Sequence, residues 1–164
     1  MKKRLLAHRA SLALAFALIA LAILLFALQP QWRAIAHWQS RSDVKTISGY
    51  LLLTLMIGLW LPHSLRQWFS KPKQIDIIKL IHQWMGVVSL LIFLFHANVA
   101  RSGFLALQTM FLLTLCGLGA GIVWTQLSSR TEWRRSMLAI HIVLAFVVSG
   151  FAVLHLYFIY AHAG

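Results

Sequence analysis

Of 164 residues, 60% are hydrophobic and only three acids face fifteen Lys and Arg, a balance that cannot solvate the surface of a soluble domain. The positive charge sits in short segments between apolar runs with no nucleic-acid motif around it, so nucleic acid is excluded as a partner. Loop topology and anionic lipid headgroups account for the charge instead.

The composition implies an all-α polytopic membrane protein, whose helices satisfy their own backbone inside lipid. Five apolar segments fall at about residues 10–28, 47–64, 80–99, 104–126 and 137–160, each near the roughly 20 residues needed to span. Residues 1–45 are expected to form an N-terminal anchor helix and an outer loop, and residues 46–164 a four-helix core. Together they make a single membrane domain.

Met1-Lys2-Lys3-Arg4 ahead of an apolar run resembles a signal peptide, but the run from Leu12 to Leu28 is longer than a usual signal core. The expectation is an uncleaved first span, facing lipid, with no polar residue along that run. Gln29 to Thr46, with Pro30, Trp32, His37, Trp38 and Asp43, reads as an interfacial loop. Span two ends at Trp60-Leu61-Pro62-His63, where proline is expected to break or kink the helix. Ser64 to Lys79 then reads as an interfacial turn and a short amphipathic approach to span three.

The short connector Asn98 to Gly103 makes spans three and four antiparallel neighbours by expectation. Gly117, Gly119 and Gly121 in span four allow a helix or a flat cofactor to approach the backbone, and the two readings stand level. The single cysteine, Cys116, lies in the same run, which rules out a disulfide framework or a cysteine-ligated cluster within this chain. A loop from Ser128 to Ser136 carries Arg130, Glu132, Arg134 and Arg135 and leads into span five.

Counting basic residues on alternate sides gives the expected orientation. The side of the N-terminus holds Lys2, Lys3, Arg4, Arg9, Arg66, Lys71, Lys73, Lys79, Arg130, Arg134 and Arg135, eleven in all. The other side holds four, Arg33, Arg41, Lys45 and Arg101. This places the N-terminus in the cytoplasm of a bacterial-type inner membrane and the C-terminus outside.

Two spans open and close on histidine. His82 and His96 bracket one stretch, His141 and His155 the other, each with thirteen residues between. Fourteen helical steps return the chain to within roughly 40° of its starting face and raise it by about 21 Å, so each helix shows two histidines on one stripe near opposite membrane surfaces. A single ion cannot bridge that gap. With spans three and five both running outward, His82 and His141 share the inner depth, and His96 and His155 the outer.

An intramembrane histidine is costly and points to function. Each expected pair offers two imidazoles and no carboxylate or thiolate within the spans at the same level, whereas a structural zinc site takes four protein ligands. Haem brings four nitrogens of its own. Two neutral imidazoles complete its octahedron and give a b-type centre, so two haem b groups are expected. Gly86 and Gly150 make room for the macrocycles, and Ser89, seven residues from each histidine of span three, reads as a small polar packing residue. Lys79, Arg134 and Arg135 at the inner mouth and Arg101 at the outer are candidate contacts for haem propionates, though topology also accounts for them. His63 reads as an interfacial residue that could reach a quinone oxygen. His8, His37 and His162 read as solvated.

On His82, His96, His141 and His155, the chain resembles the membrane domain of the ferric reductase and NADPH oxidase superfamily, including a small bacterial haem subunit serving a periplasmic methionine-sulfoxide reductase. In that pattern two haems lie between the third and fifth helices on histidine pairs thirteen or fourteen apart. Cytochrome b of the bc complexes has similar spacing. The resemblance covers roughly residues 47–160 and rests on the histidine ladder. Superfamily oxidases carry a flavin and nicotinamide domain after the membrane part, whereas this sequence ends at Gly164 and has no Gly-rich dinucleotide fingerprint. The expected donor is therefore a quinol or a separate protein. The expected role is an electron-transfer subunit linking the quinone pool to a partner redox protein, periplasmic by this topology. Two alternatives stand beside it: a self-contained membrane reductase of metal ions or small oxidants, and a transporter or scaffold without haem.

Overall fold

The structure is a computed structural model and describes residues 2–28, 37–38, 41–65, 72–96, 103–127 and 132–161. Five long helices account for all of these but 37–38 and Arg41: α1 (Lys2–Leu28), α2 (Ser42–Leu65), α3 (Pro72–His96), α4 (Gly103–Leu127) and α5 (Glu132–Ala161). Each is long and apolar enough to cross a membrane, and no strand occurs among the described residues. The chain is built as an all-helical, multi-pass membrane protein.

The helices extend beyond the apolar runs at their polar ends. α2 starts at Ser42, and the Arg41 carbonyl accepts the first helical hydrogen bond, from the Lys45 N–H at 3.2 Å. Asp43 in the first turn favours the helix dipole and pairs with Arg41 at 2.6 Å, an exposed ion pair that adds little stability. Of the expected break or kink at proline, the break does not occur, since helix α2 runs through Pro62 and ends at Leu65. A proline this near the C-terminus removes one hydrogen bond in a ladder that is about to end. The expected approach to span three is likewise part of α3, which opens on Pro72, where the missing N–H would have had no helical partner.

The chain divides into two compact units, residues 1–99 and residues 100–164. In the first, α3 packs against both α2 and α1. Ser48 meets His96, and a Cβ on Gly58 would meet Met85, so α2 and α3 run antiparallel. In place of an anchor wholly in lipid, α1 buries Ser11, Leu12, Leu18 and Ala22, while α3 buries Val87, Leu90 and Phe93. An all-apolar helix shows no amphipathic difference in its sequence, which hid this packed stripe.

In the second unit α4 and α5 pack together. Phe104 meets Phe158 at 6.4 Å and Phe111 stacks on Phe151 at 5.5 Å, so the order of contacts is again antiparallel. Much of α5 faces outward, including Ile140, Val143, Phe146, Val153 and Leu154. Such a surface is ordinary in lipid and a liability in water.

Candidate functional site

Both histidines of α3 lie on the side that meets α2. His82 is half-buried against the backbone of Leu59, and His96 is half-buried with its Nδ1 2.9 Å from Ser48 Oγ. The Ser48 hydroxyl donates to the Val44 carbonyl at 2.6 Å, with the Lys45 carbonyl at 3.2 Å. A hydroxyl has one proton, and here backbone oxygen takes it. Ser48 Oγ therefore accepts from His96 Nδ1–H, which puts the lone pair of the neutral imidazole on Nε2.

His141 on α5 is seated in the same way on α4. Its Nδ1 lies 3.2 Å from the Leu115 carbonyl oxygen. A carbonyl can only accept, so Nδ1 again carries the proton and Nε2 the lone pair. His155 is half-buried on the same helix, between Phe151 and Phe158. Phe104 of α4 meets both of these rings, at 5.1 and 6.4 Å, which turns the stripe holding His155 toward α4. In each unit the histidine stripe thus borders the preceding, antiparallel helix.

Glycines make these seats possible. A Cβ on Gly49 would lie 3.2 Å from His96 Cε1, and one on Gly119 would lie 3.3 Å from His141 Cε1. Either contact is tighter than side chains normally make, so the bare backbone admits the ring edge. The glycine trio of α4 divides by role: Gly119 receives His141, Gly121 receives Met137 at 3.3 Å, and a Cβ on Gly117 would meet nothing within 4 Å. Gly86 and Gly150 likewise border open space, since a Cβ at either would meet nothing within 4 Å.

Among the other sequence candidates, Lys79 is exposed and 3.9 Å from Asp76, and Arg134 and Arg135 are exposed near the start of α5. Arg101 and His162 lie outside the described residues, as does the side chain of His63, and His37 is exposed. Ser89 is 6% exposed, and its hydroxyl has no hydrogen bond among the described residues. It is less settled than an ordinary packing serine, which would bond back to its own helix.

Two elements escape a reading of the sequence. The first is the Ser48-Gly49 pair, one residue supplying an acceptor and the next a void. The second is His8, which is hydrogen-bonded rather than solvated: its Nδ1 lies 2.8 Å from Gln83 Oε1, and Ser11 Oγ donates to the same oxygen at 3.2 Å. The signal for it is the spacing of His8 and Ser11, one helical turn apart at the mouth of span one.

No three His, Cys, Asp or Glu side chains gather into a metal-binding group among the described residues. What the arrangement offers is two neutral imidazoles of fixed tautomer, those of His96 and His141, each with a glycine beside the ring. No protein-family model, no curated protein and no solved structure matches the chain.

Proposed function

We propose that the chain carries electrons across a membrane on two b-type haems, one held by His82 and His141 and the other by His96 and His155. The observation that supports this best is the placement of the imidazole protons. In His96 and in His141 the Nδ1–H is engaged by Ser48 Oγ and by the Leu115 carbonyl, which leaves the lone pair on Nε2, the form of imidazole that binds a metal. Pairing rests on the equal fourteen-residue steps in the sequence.

When bound, haem with two imidazole ligands supplies a one-electron iron couple with no open coordination position. Ser48 and the Leu115 carbonyl fix the tautomer and orientation of His96 and His141. Gly49 and Gly119 admit the ring edges. Lys79, Arg134 and Arg135 are exposed cations able to meet propionates, and Arg101 joins them by sequence position. In this reading the chain resembles a ferric reductase-like or NADPH oxidase-like membrane domain. It serves as the membrane subunit of a larger oxidoreductase between the quinone pool and a separate, periplasmic redox protein. Its N-terminus is cytoplasmic, in a bacterial-type inner membrane.

The test is quantitative haem extraction and a reduced-minus-oxidised spectrum of the purified chain. Two haem b per polypeptide with low-spin bis-imidazole spectra are expected. A value of one or none overturns the reading.

A further inference from the structure

We propose that Ser48 is the positioning residue of one haem site: its hydroxyl holds His96 in the ligating tautomer and sets how much electron density the imidazole gives to iron. The inference rests on the haem reading above and concerns a residue off the ligand-bearing helices. Ser48 lies on α2, and its Oγ is 2.9 Å from His96 Nδ1.

The serine is itself held. Its proton goes to the Val44 carbonyl at 2.6 Å, the shorter contact, with Lys45 O at 3.2 Å, which leaves the oxygen to accept from the ring. Donation to a helix carbonyl also polarises the hydroxyl and makes its oxygen a better acceptor. Gly49, the next residue, supplies the space: a Cβ there would lie 3.2 Å from His96 Cε1. The dipeptide thus fixes the ring by one hydrogen bond and one absent side chain.

His141 has the same two-part seat with a different acceptor. The Leu115 carbonyl takes its Nδ1–H at 3.2 Å, and Gly119, one turn later, leaves that carbonyl uncovered, since a helical side chain lies over the turn before it. A backbone carbonyl cannot be removed by substitution. Ser48 can, so a single side-chain change should alter one haem and leave the other as it was.

The sign follows from the hydrogen bond. An acceptor on Nδ1–H makes the imidazole more basic and stabilises ferric iron, which lowers the reduction potential. Loss of the acceptor should raise it.

The experiment uses the full chain with its haems, as native protein and as Ser48→Ala, Ser48→Thr and Ser48→Val. Redox titration, low-spin electron paramagnetic resonance and haem titration are read for each. Ser48→Ala is expected to shift one of two midpoints to a more positive value and to weaken haem retention at that site roughly tenfold. Ser48→Thr should restore both properties, and the second haem should be unchanged throughout. If Ser48→Ala does not fold, Thr and Val provide the comparison, since they match in shape and differ in the hydroxyl. Two unchanged midpoints and native haem retention in Ser48→Ala, or in Ser48→Val where Ala does not fold, overturn the role of Ser48. So does a shift that Ser48→Thr shares equally. A native chain that binds no haem overturns the underlying reading instead, which separates the two failures.

Discussion

Gly119 receives the edge of His141: a Cβ at this position would stand 3.3 Å from the ring Cε1, while the ring Nδ1 reaches the Leu115 carbonyl. Two opposing effects decide what a substitution does. Glycine in a helix interior is worse than alanine by about 0.5–1 kcal/mol, so Gly119→Ala gains backbone stability and loses some ring fit. The ring must give by a few tenths of an ångström, and the two terms come close to cancelling. Gly119→Val adds two methyl groups where alanine already crowds the ring. It should displace His141 and strand its hydrogen bond, at a cost of about 1–3 kcal/mol for the unsatisfied groups. Denaturant unfolding in detergent should find Ala near native and Val clearly weaker, with haem content reduced in Val alone. Equal stability and equal haem content in Gly119→Val would show that the seat has no strict size limit.

Gln83 joins α1 to α3 by accepting from His8 and Ser11 through one oxygen. Ser11, 2% exposed, shares its one proton between Gln83 Oε1 and the His8 carbonyl at 3.0 Å, so loss of Gln83 leaves the serine with an acceptor and leaves His8 without this one. Side-chain hydrogen bonds between membrane helices average about 0.6 kcal/mol by double-mutant cycle and reach about 1.7. A cycle on His8→Ala and Gln83→Leu should give a stabilising coupling in that range. Zero coupling would mean that the hydrogen bond between His8 and Gln83 adds nothing to the seating of α1.

The five spans are legible in the sequence because lipid demands long apolar runs, and each of the runs at 10–28, 47–64, 80–99, 104–126 and 137–160 falls on a helix over its described residues, with 97–99 outside them. Helix ends are less legible. α2 begins at Ser42, α3 at Pro72 and α5 at Glu132, because a helix continues into polar surroundings where hydropathy has nothing to report. The histidine stripes are readable from fourteen-residue steps, since helical periodicity is local. The seats are not. Ser48-Gly49 reads as any pair of small residues, and its meaning depends on a histidine 48 positions later and on where the Val44 carbonyl directs the serine proton. His8 is hidden for a related reason: its partner Gln83 is 75 residues away, and a histidine near a terminus looks solvated until that helix packs.

The last prediction asks whether the two proposed haems act in series. His155→Leu removes one imidazole from the pair with His96 and leaves His82 and His141 in place, about 21 Å along the helices from the altered level. One haem per chain should remain. His82→Leu or His141→Leu should also leave one haem, and it should be the other. In oriented vesicles, with a membrane-impermeant donor on one side and an acceptor on the other, the retained haem in each variant should be reducible from its own side. Transfer to the far side should stop in both, because removing either site leaves a gap of about half a membrane. His37→Leu serves as the control, since His37 is exposed and belongs to neither stripe, and it should transfer as the native chain does. Transfer at the native rate in His155→Leu or in His82→Leu would refute a serial path even if the native chain holds two haems.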